Sequence, residues 1–165
     1  MLSFFKKKKN ETTVSSNNLK AFLSGKVIPI ENVNDPVFSA KILGDGLAIE
    51  PESELIVAPC DGVISTVMLE SKHAVGITAA NGMELLIHEG VDTVSMNGEG
   101  FELYVNEGDS IKAGDKLIKF NTELIKSKGL AATCILAITN FDEFPNLKLH
   151  TGMDAVAGET VIVEA

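Results

Sequence analysis

Arginine is absent from this chain of 165 residues: all fourteen basic residues are lysines. The chain therefore cannot offer a guanidinium fork to a phosphate or carboxylate, and any such clamp has to come from a partner. Tryptophan is also missing and there is a single tyrosine, so the core must rest on Val, Ile, Leu and Phe. The shortage of positive charge is general. Twenty-three acidic residues leave a formal charge of −9, which excludes the basic footprint of a nucleic-acid binder and suits a cationic patch on a partner protein. There are only two cysteines, Cys60 and Cys134, in apolar surroundings and without CxxC spacing. They read as reduced core residues of a cytoplasmic protein, not as a disulfide or metal ligands. No run approaches the ~20 apolar residues that a membrane helix needs. The opening MLSFFKKKKN puts its apolar cluster before its charges, the reverse of a secretory signal. Leu2, Phe4, Phe5 and the lysines Lys6 to Lys9 suit weak peripheral contact with an anionic membrane at its inner face. A solvated, solubilising arm is the plainer expectation.

What is present is a long series of short apolar runs broken by Gly, Asp, Asn and Pro. Residues 1–18 read as an arm and polar linker, and 19–165 as one domain. Strands are expected at Lys26–Ile30, Gly46–Glu50, Leu55–Ala58, Gly62–Leu69, Val75–Ala79, Met83–His88, Glu102–Val105, Lys116–Phe120, Thr133–Thr139 and Thr160–Val163. These runs are four to eight residues long and rich in β-branched side chains. Helical spacing is brief, at Pro36–Leu43, Asn121–Lys128 and Phe141–Leu147. The class is all-β: a flattened antiparallel β sandwich or barrel with short helical turns. A Gly-acid pair at a bend recurs, in Asn106 to Asp115 and again at Gly158-Glu159, which favours related, duplicated hairpins. Similar phrases occur in biotinyl and lipoyl carrier domains.

Of three histidines, two lie in informative places. His88 ends the apolar run from Met83 and precedes Glu89-Gly90; alternation sets Leu86 and His88 on one face and Leu85 and Ile87 on the other. His73 opens the preceding strand, and the tight connection Ala80-Asn81-Gly82 brings the two histidines side by side. A neutral imidazole is a competent nucleophile toward a phosphoryl group, with its second nitrogen holding a proton against an acceptor. A neighbouring imidazole can donate to the developing phosphate charge, and Ser71, two residues before His73, can orient that ring. On residues alone, two unrelated histidines, one packed and one solvated, stay open as the alternative. His150 has no apolar strand before it and reads as a loop residue.

The stretch Gly82 to Val94 resembles the active-site region of glucose-type enzyme IIA proteins of the bacterial sugar phosphotransferase system. Further stretches agree in order and spacing: Pro36 to Ile49, Val57-Ala58-Pro59-Cys60-Asp61-Gly62, His73, and Asn97-Gly98-Glu99-Gly100-Phe101. The resemblance runs from about Ser24 to Val163. It implies a phosphotransferase component, with His88 as the phospho-accepting residue, His73 as its hydrogen-bonding partner and Ser71 supporting His73. It implies an apolar docking rim of Val37, Phe38, Ile42, Leu43, Met68 and Leu86, flanked by Asp35 and Asp92. The implied donor is the histidine-containing phosphocarrier protein, the implied acceptor a cysteine on the IIB domain of a sugar permease, and regulated permeases or metabolic enzymes are further partners. No cofactor is required. Two exposed histidines can share an intermolecular Zn²⁺ if a partner adds a carboxylate. A monomer is expected.

Glu89 departs from the family pattern, which has an apolar residue directly after the histidine. Alternation turns Glu89 toward the core, where a lone carboxylate is costly unless paired or near solvent. A zinc peptidase of related β architecture would need an HxH pair, and a biotin or lipoate carrier a lysine on a hairpin in a Met-Lys-Met or Asp-Lys context; the chain has no HxH and no Met-Lys-Met, and its one Asp-Lys pair, Asp115-Lys116, leads into the expected strand Lys116–Phe120.

Overall fold

A computed structural model describes residues 17–165; the expectations for residues 1–16 lie outside them, while Asn18, expected to end the linker, opens the first strand. Fourteen strands follow one another: β1 (Asn18–Lys20), β2 (Gly25–Pro29), β3 (Asp45–Pro51), β4 (Leu55–Val57), β5 (Gly62–Val67), β6 (Ala74–Ala79), β7 (Glu84–Glu89), β8 (Phe101–Leu103), β9 (Ser110–Ile111), β10 (Lys116–Phe120), β11 (Cys134–Ile138), β12 (Lys148–Leu149), β13 (Asp154–Ala155) and β14 (Val161–Glu164). The α-helices are short, α1 (Pro36–Ser39) and α2 (Thr122–Ser127). All ten expected strands form, within two residues at each end. The additional β1, β9, β12 and β13 are two or three residues long, too short for alternation to show.

An eight-stranded antiparallel sheet runs β13-β2-β3-β11-β7-β6-β5-β9, and two three-stranded sheets, β1-β14-β12 and β4-β10-β8, complete the sandwich. The two edges of the large sheet are strands of only two residues, which gives a neighbouring chain little to pair with. Every residue of β11 is buried because the sheet is covered on both sides there. On one side Ile49, Cys134, Leu136, Leu85 and Ile87 join the main core. On the other, Ile30, Val33, Phe38, Ala48, Val91 and Ile135 form a second, small core. Burying such side chains contributes about 1.5–3 kcal/mol each, so even this small cluster makes a firm floor.

Three expected helical stretches are shorter than their periodicity. Pro36–Leu43 is helical only to Ser39, where Asp35 caps the start by accepting from Val37 N at 2.9 Å. Lys41 then turns left-handed (φ 60°) and ends it. Phe141–Leu147 yields one 3₁₀ turn, Phe141–Glu143, before Pro145. Asn121 caps α2 by accepting from Leu124 N.

Candidate functional site

The β6–β7 hairpin sets the site. Its connection is closed by Gly82 N donating to Ala79 O and by Met83 N donating to Asn81 Oδ1, which leaves β6 and β7 in a register that pairs Ala74 with His88. His73 sits one residue beyond that pair, and Glu89 N donates to its carbonyl at 2.7 Å. The two imidazoles meet edge to face, 4.6 Å between centroids and 90° apart. The side-by-side placement expected from hairpin counting is therefore present. Phe38, on α1, closes the other side of His88 at 5.0 Å.

Hydrogen bonding assigns the ring nitrogens. His88 Nδ1 lies 2.8 Å from Gly90 O. A carbonyl only accepts, so the neutral ring carries its proton on Nδ1 and leaves Nε2 with a bare lone pair. His73 Nδ1 lies 2.7 Å from Ser71 Oγ. A hydroxyl can donate or accept, and when Ser71 donates, Nε2 of His73 keeps its proton for another acceptor.

Both rings are held neutral near pH 7. Burial, reinforced by the proximity of His88, pushes His73 down to about 4. His88 is also lowered, by burial first; the Gly90 carbonyl and the carboxylates of Asp35 and Asp92 work against that. Those aspartates surround the ring with negative potential in a chain that has no arginine.

The rim is partly as expected. Ile42 (70% exposed), Val37, Leu43 and Met68 present apolar surface to solvent. Phe38 does not: it is 4% exposed and forms a wall of the small core, because α1 turns its ring inward onto His88. Leu86 is half-buried against the same cluster. His73, expected to be exposed, is 2% exposed under the turn that carries Ser71. Leu69 and Val94, which the sequence reading omitted, are exposed beside Met68 along an open groove that also contains Ser71. Leu69 lies just beyond the end of β5 and Val94 inside the 3₁₀ turn Thr93–Met96, so no strand alternation marks either.

The loops around the histidines are conformationally demanding. Four non-glycine residues among those described have left-handed backbone: Lys41, Lys72, Asp92 and Asn97. All four lie in segments that frame the site, as stored strain at functional loops tends to. Gly98 (φ 86°) fastens two of these loops together, since a Cβ there would lie 2.4 Å from Glu70 O.

Glu89 is fully buried on the opposite face of β7, as alternation requires. It is neither paired nor near water: both carboxyl oxygens lack a hydrogen-bond partner. Across the ladder stands Cys134, whose thiol is a weak donor. Burial pushes the Glu89 carboxyl well above its ordinary range, against the weak help of that thiol and with Glu50 adding to the rise, so it is held as the acid. Cys60 and Cys134 are free and buried; burial, then Asp61, pushes Cys60 up to about 12. His150 Nε2 pairs with Glu164 Oε2 at 2.5 Å, far along the chain from this site. Among the described residues no group of three or more His, Cys, Asp or Glu side chains could hold a metal ion, and no helix is long and apolar enough to cross a membrane.

A neutral imidazole with an open Nε2, walled by a second imidazole and set in an acidic apolar rim, has the chemistry of a phosphoryl carrier. Comparison with known proteins gives that class a family. The family described as phosphoenolpyruvate-dependent sugar phosphotransferase system, EIIA 1, matches residues 17–144, and the chain belongs to it. It is 45% identical over 157 residues to the glucose-specific EIIA component of Bacillus anthracis, covering 95% of this chain and 92% of the relative. With the Staphylococcus epidermidis counterpart it shares 38% over 162 residues, 97% of each chain. Glucose permease IIA from Mycoplasma capricolum has the same fold, with a TM-score of 0.80 at 34% identity over 88% of this chain and 93% of that one. The protein is a phosphocarrier of the sugar phosphotransferase system, with transferase activity.

Proposed function

We propose that His88 accepts the phosphoryl group through Nε2 and that His73 and Ser71 assist it. The observation that carries this reading is the His88 Nδ1 bond to Gly90 O, which leaves Nε2 as the free lone pair beside His73. The donor is the phosphohistidine of the histidine-containing phosphocarrier protein. Nε2 of His88 attacks phosphorus, the new N–P bond forms as the donor's N–P bond breaks, and the electron pair stays on the departing imidazole. Ser71 donates to His73 Nδ1, so His73 Nε2–H is available to the equatorial oxygens as charge develops. Onward transfer runs the other way. A IIB cysteine thiolate attacks phosphorus, an S–P bond forms, and the lone pair returns to His88 Nε2.

Docking uses Val37, Ile42, Leu43 and Met68, with Leu69 and Val94 extending the surface and Asp35 and Asp92 meeting cations that the partner brings. Leu86 and Phe38 act from beneath, as support. Phosphorylation places about two negative charges on this apolar rim, so partners that prefer the free protein are released. The working unit is the domain that begins at β1 and runs to Ala165, a monomer in the cytoplasm, with the preceding residues as an arm in weak contact with the membrane surface. A partner carboxylate beside the two imidazoles would supply a third zinc ligand, a subsidiary role of the same face.

Incubation with phosphoenolpyruvate, enzyme I and the phosphocarrier protein tests the reading. Intact mass is expected to show one acid-labile phosphate that is absent from His88→Ala. No phosphate on folded wild-type protein, or an unchanged phosphate on His88→Ala, overturns it. Partner affinity that does not change when zinc is added or chelated removes the subsidiary role.

A further inference from the structure

Gly90 carries the carbonyl that fixes the His88 tautomer, so whatever fixes Gly90 acts on the nucleophile. Two bonds come from the sheet: Gly90 N donates to Thr133 O at 2.9 Å and Val91 N to Ala131 O at 3.0 Å. A third comes from a side chain. Thr93 is fully buried at the start of the 3₁₀ turn Thr93–Met96, and its hydroxyl donates to Glu89 O. Its methyl packs directly against Gly90, where a Cβ would lie 2.3 Å from Thr93 Cγ2 and 3.0 Å from Ala131 O. Gly90 (φ 81°) is thus gripped between Thr93 and β11, in a backbone conformation that glycine adopts most readily. The same Glu89 residue reaches the second histidine, through its N–H to His73 O.

We propose that Thr93 is a positioning residue for phosphoryl transfer: it braces the Glu89–Gly90 turn so that the Gly90 carbonyl faces His88 Nδ1 and holds the ring with Nε2 free. Thr93 touches neither the phosphoryl group nor an imidazole. It works through two backbone groups, the Glu89 carbonyl and the Gly90 Cα. Without the brace the Glu89–Gly90 and Gly90–Val91 peptides rock, the Nδ1 bond lengthens, and the neutral imidazole divides between its two tautomers. Only one of those has a lone pair on Nε2. The proposal rests on the reading of His88 as the acceptor.

The test compares Thr93→Val, which keeps shape and removes the donor, with Thr93→Ser, which keeps the donor. In ¹⁵N-labelled protein near pH 7, wild-type His88 is expected to show a protonated Nδ1 and an unprotonated Nε2. Thr93→Val is expected to move both resonances toward each other, and Thr93→Ser to restore them. Single-turnover uptake from the phosphorylated donor should fall about fivefold in Thr93→Val, the scale of one ordinary hydrogen bond, and recover in Thr93→Ser. If the valine variant does not fold, Thr93→Ala against Thr93→Ser makes the same comparison. Wild-type His88 shifts in a folded hydroxyl-free variant would overturn the brace, whatever its transfer rate. Failure of the acceptor reading is distinguishable, because wild-type protein would then take up no phosphate or His88→Ala would take it up unchanged.

Discussion

His88 and Glu89 are adjacent residues on opposite faces of one strand, and the sheet treats them differently. His88 looks onto a small core with an open side: Phe38 and His73 wall the ring, Gly90 accepts its Nδ1 proton, and two carboxylates stand near. Glu89 looks into the main core and meets a thiol. Burial favours the neutral form of both groups, with opposite consequences. On the histidine it leaves a lone pair free for an electrophile; on the glutamate it suppresses the charge and costs stability. Low dielectric alone does not make a site. A positioned acceptor and an approach from solvent do.

The largest effect expected from breaking this contrast is on the histidine side. His88→Ala abolishes phosphate uptake, checked by intact mass. His73→Gln still accepts phosphate but passes it on about 10²-fold more slowly, the scale of one lost transition-state donor; equal onward rates in a quenched-flow assay would sink this claim. On the other face, Glu89→Leu leaves uptake unchanged and raises stability at pH 8 by about 2 kcal/mol, near 6 °C in Tm for a chain of this size. The sign follows from the raised carboxyl. The unfolded chain releases that proton above its ordinary carboxylate range while the native protein keeps it, so wild-type stability falls as pH rises. The leucine variant's advantage should therefore shrink as the pH is lowered toward 5, in parallel urea titrations. A further effect concerns the acid limb and His73. With its native value at about 4, the unfolded chain takes up this proton first, and stability is lost as pH falls from about 6.5 to about 4. His73→Gln should flatten that acid limb in thermal melts.

The strands and the hairpin were legible in the sequence because β-branched runs of five or six residues carry a period of two. The proximity of His73 and His88 needed only a count across the turn at Ala80–Gly82. Ser110–Ile111, Lys148–Leu149 and Asp154–Ala155 were not legible, since a two-residue strand is defined by its partner and not by a pattern. The face of Glu89 followed from alternation, but its lack of a partner is a tertiary fact. Phe38 was assigned to the docking rim by resemblance, and only the inward turn of α1 shows it as a wall. The grip of Thr93 on Gly90 depends on a left-handed turn at Asp92 and Gly90, which no periodicity announces.

The central claim is that His88 reacts through Nε2 because Gly90 holds its other nitrogen. Long-range ¹H–¹⁵N correlation on the phosphorylated, ¹⁵N-labelled protein tests it most directly. The account predicts phosphorus on Nε2 of His88, with Nδ1 still protonated. Phosphorus on Nδ1, or on His73, would contradict it.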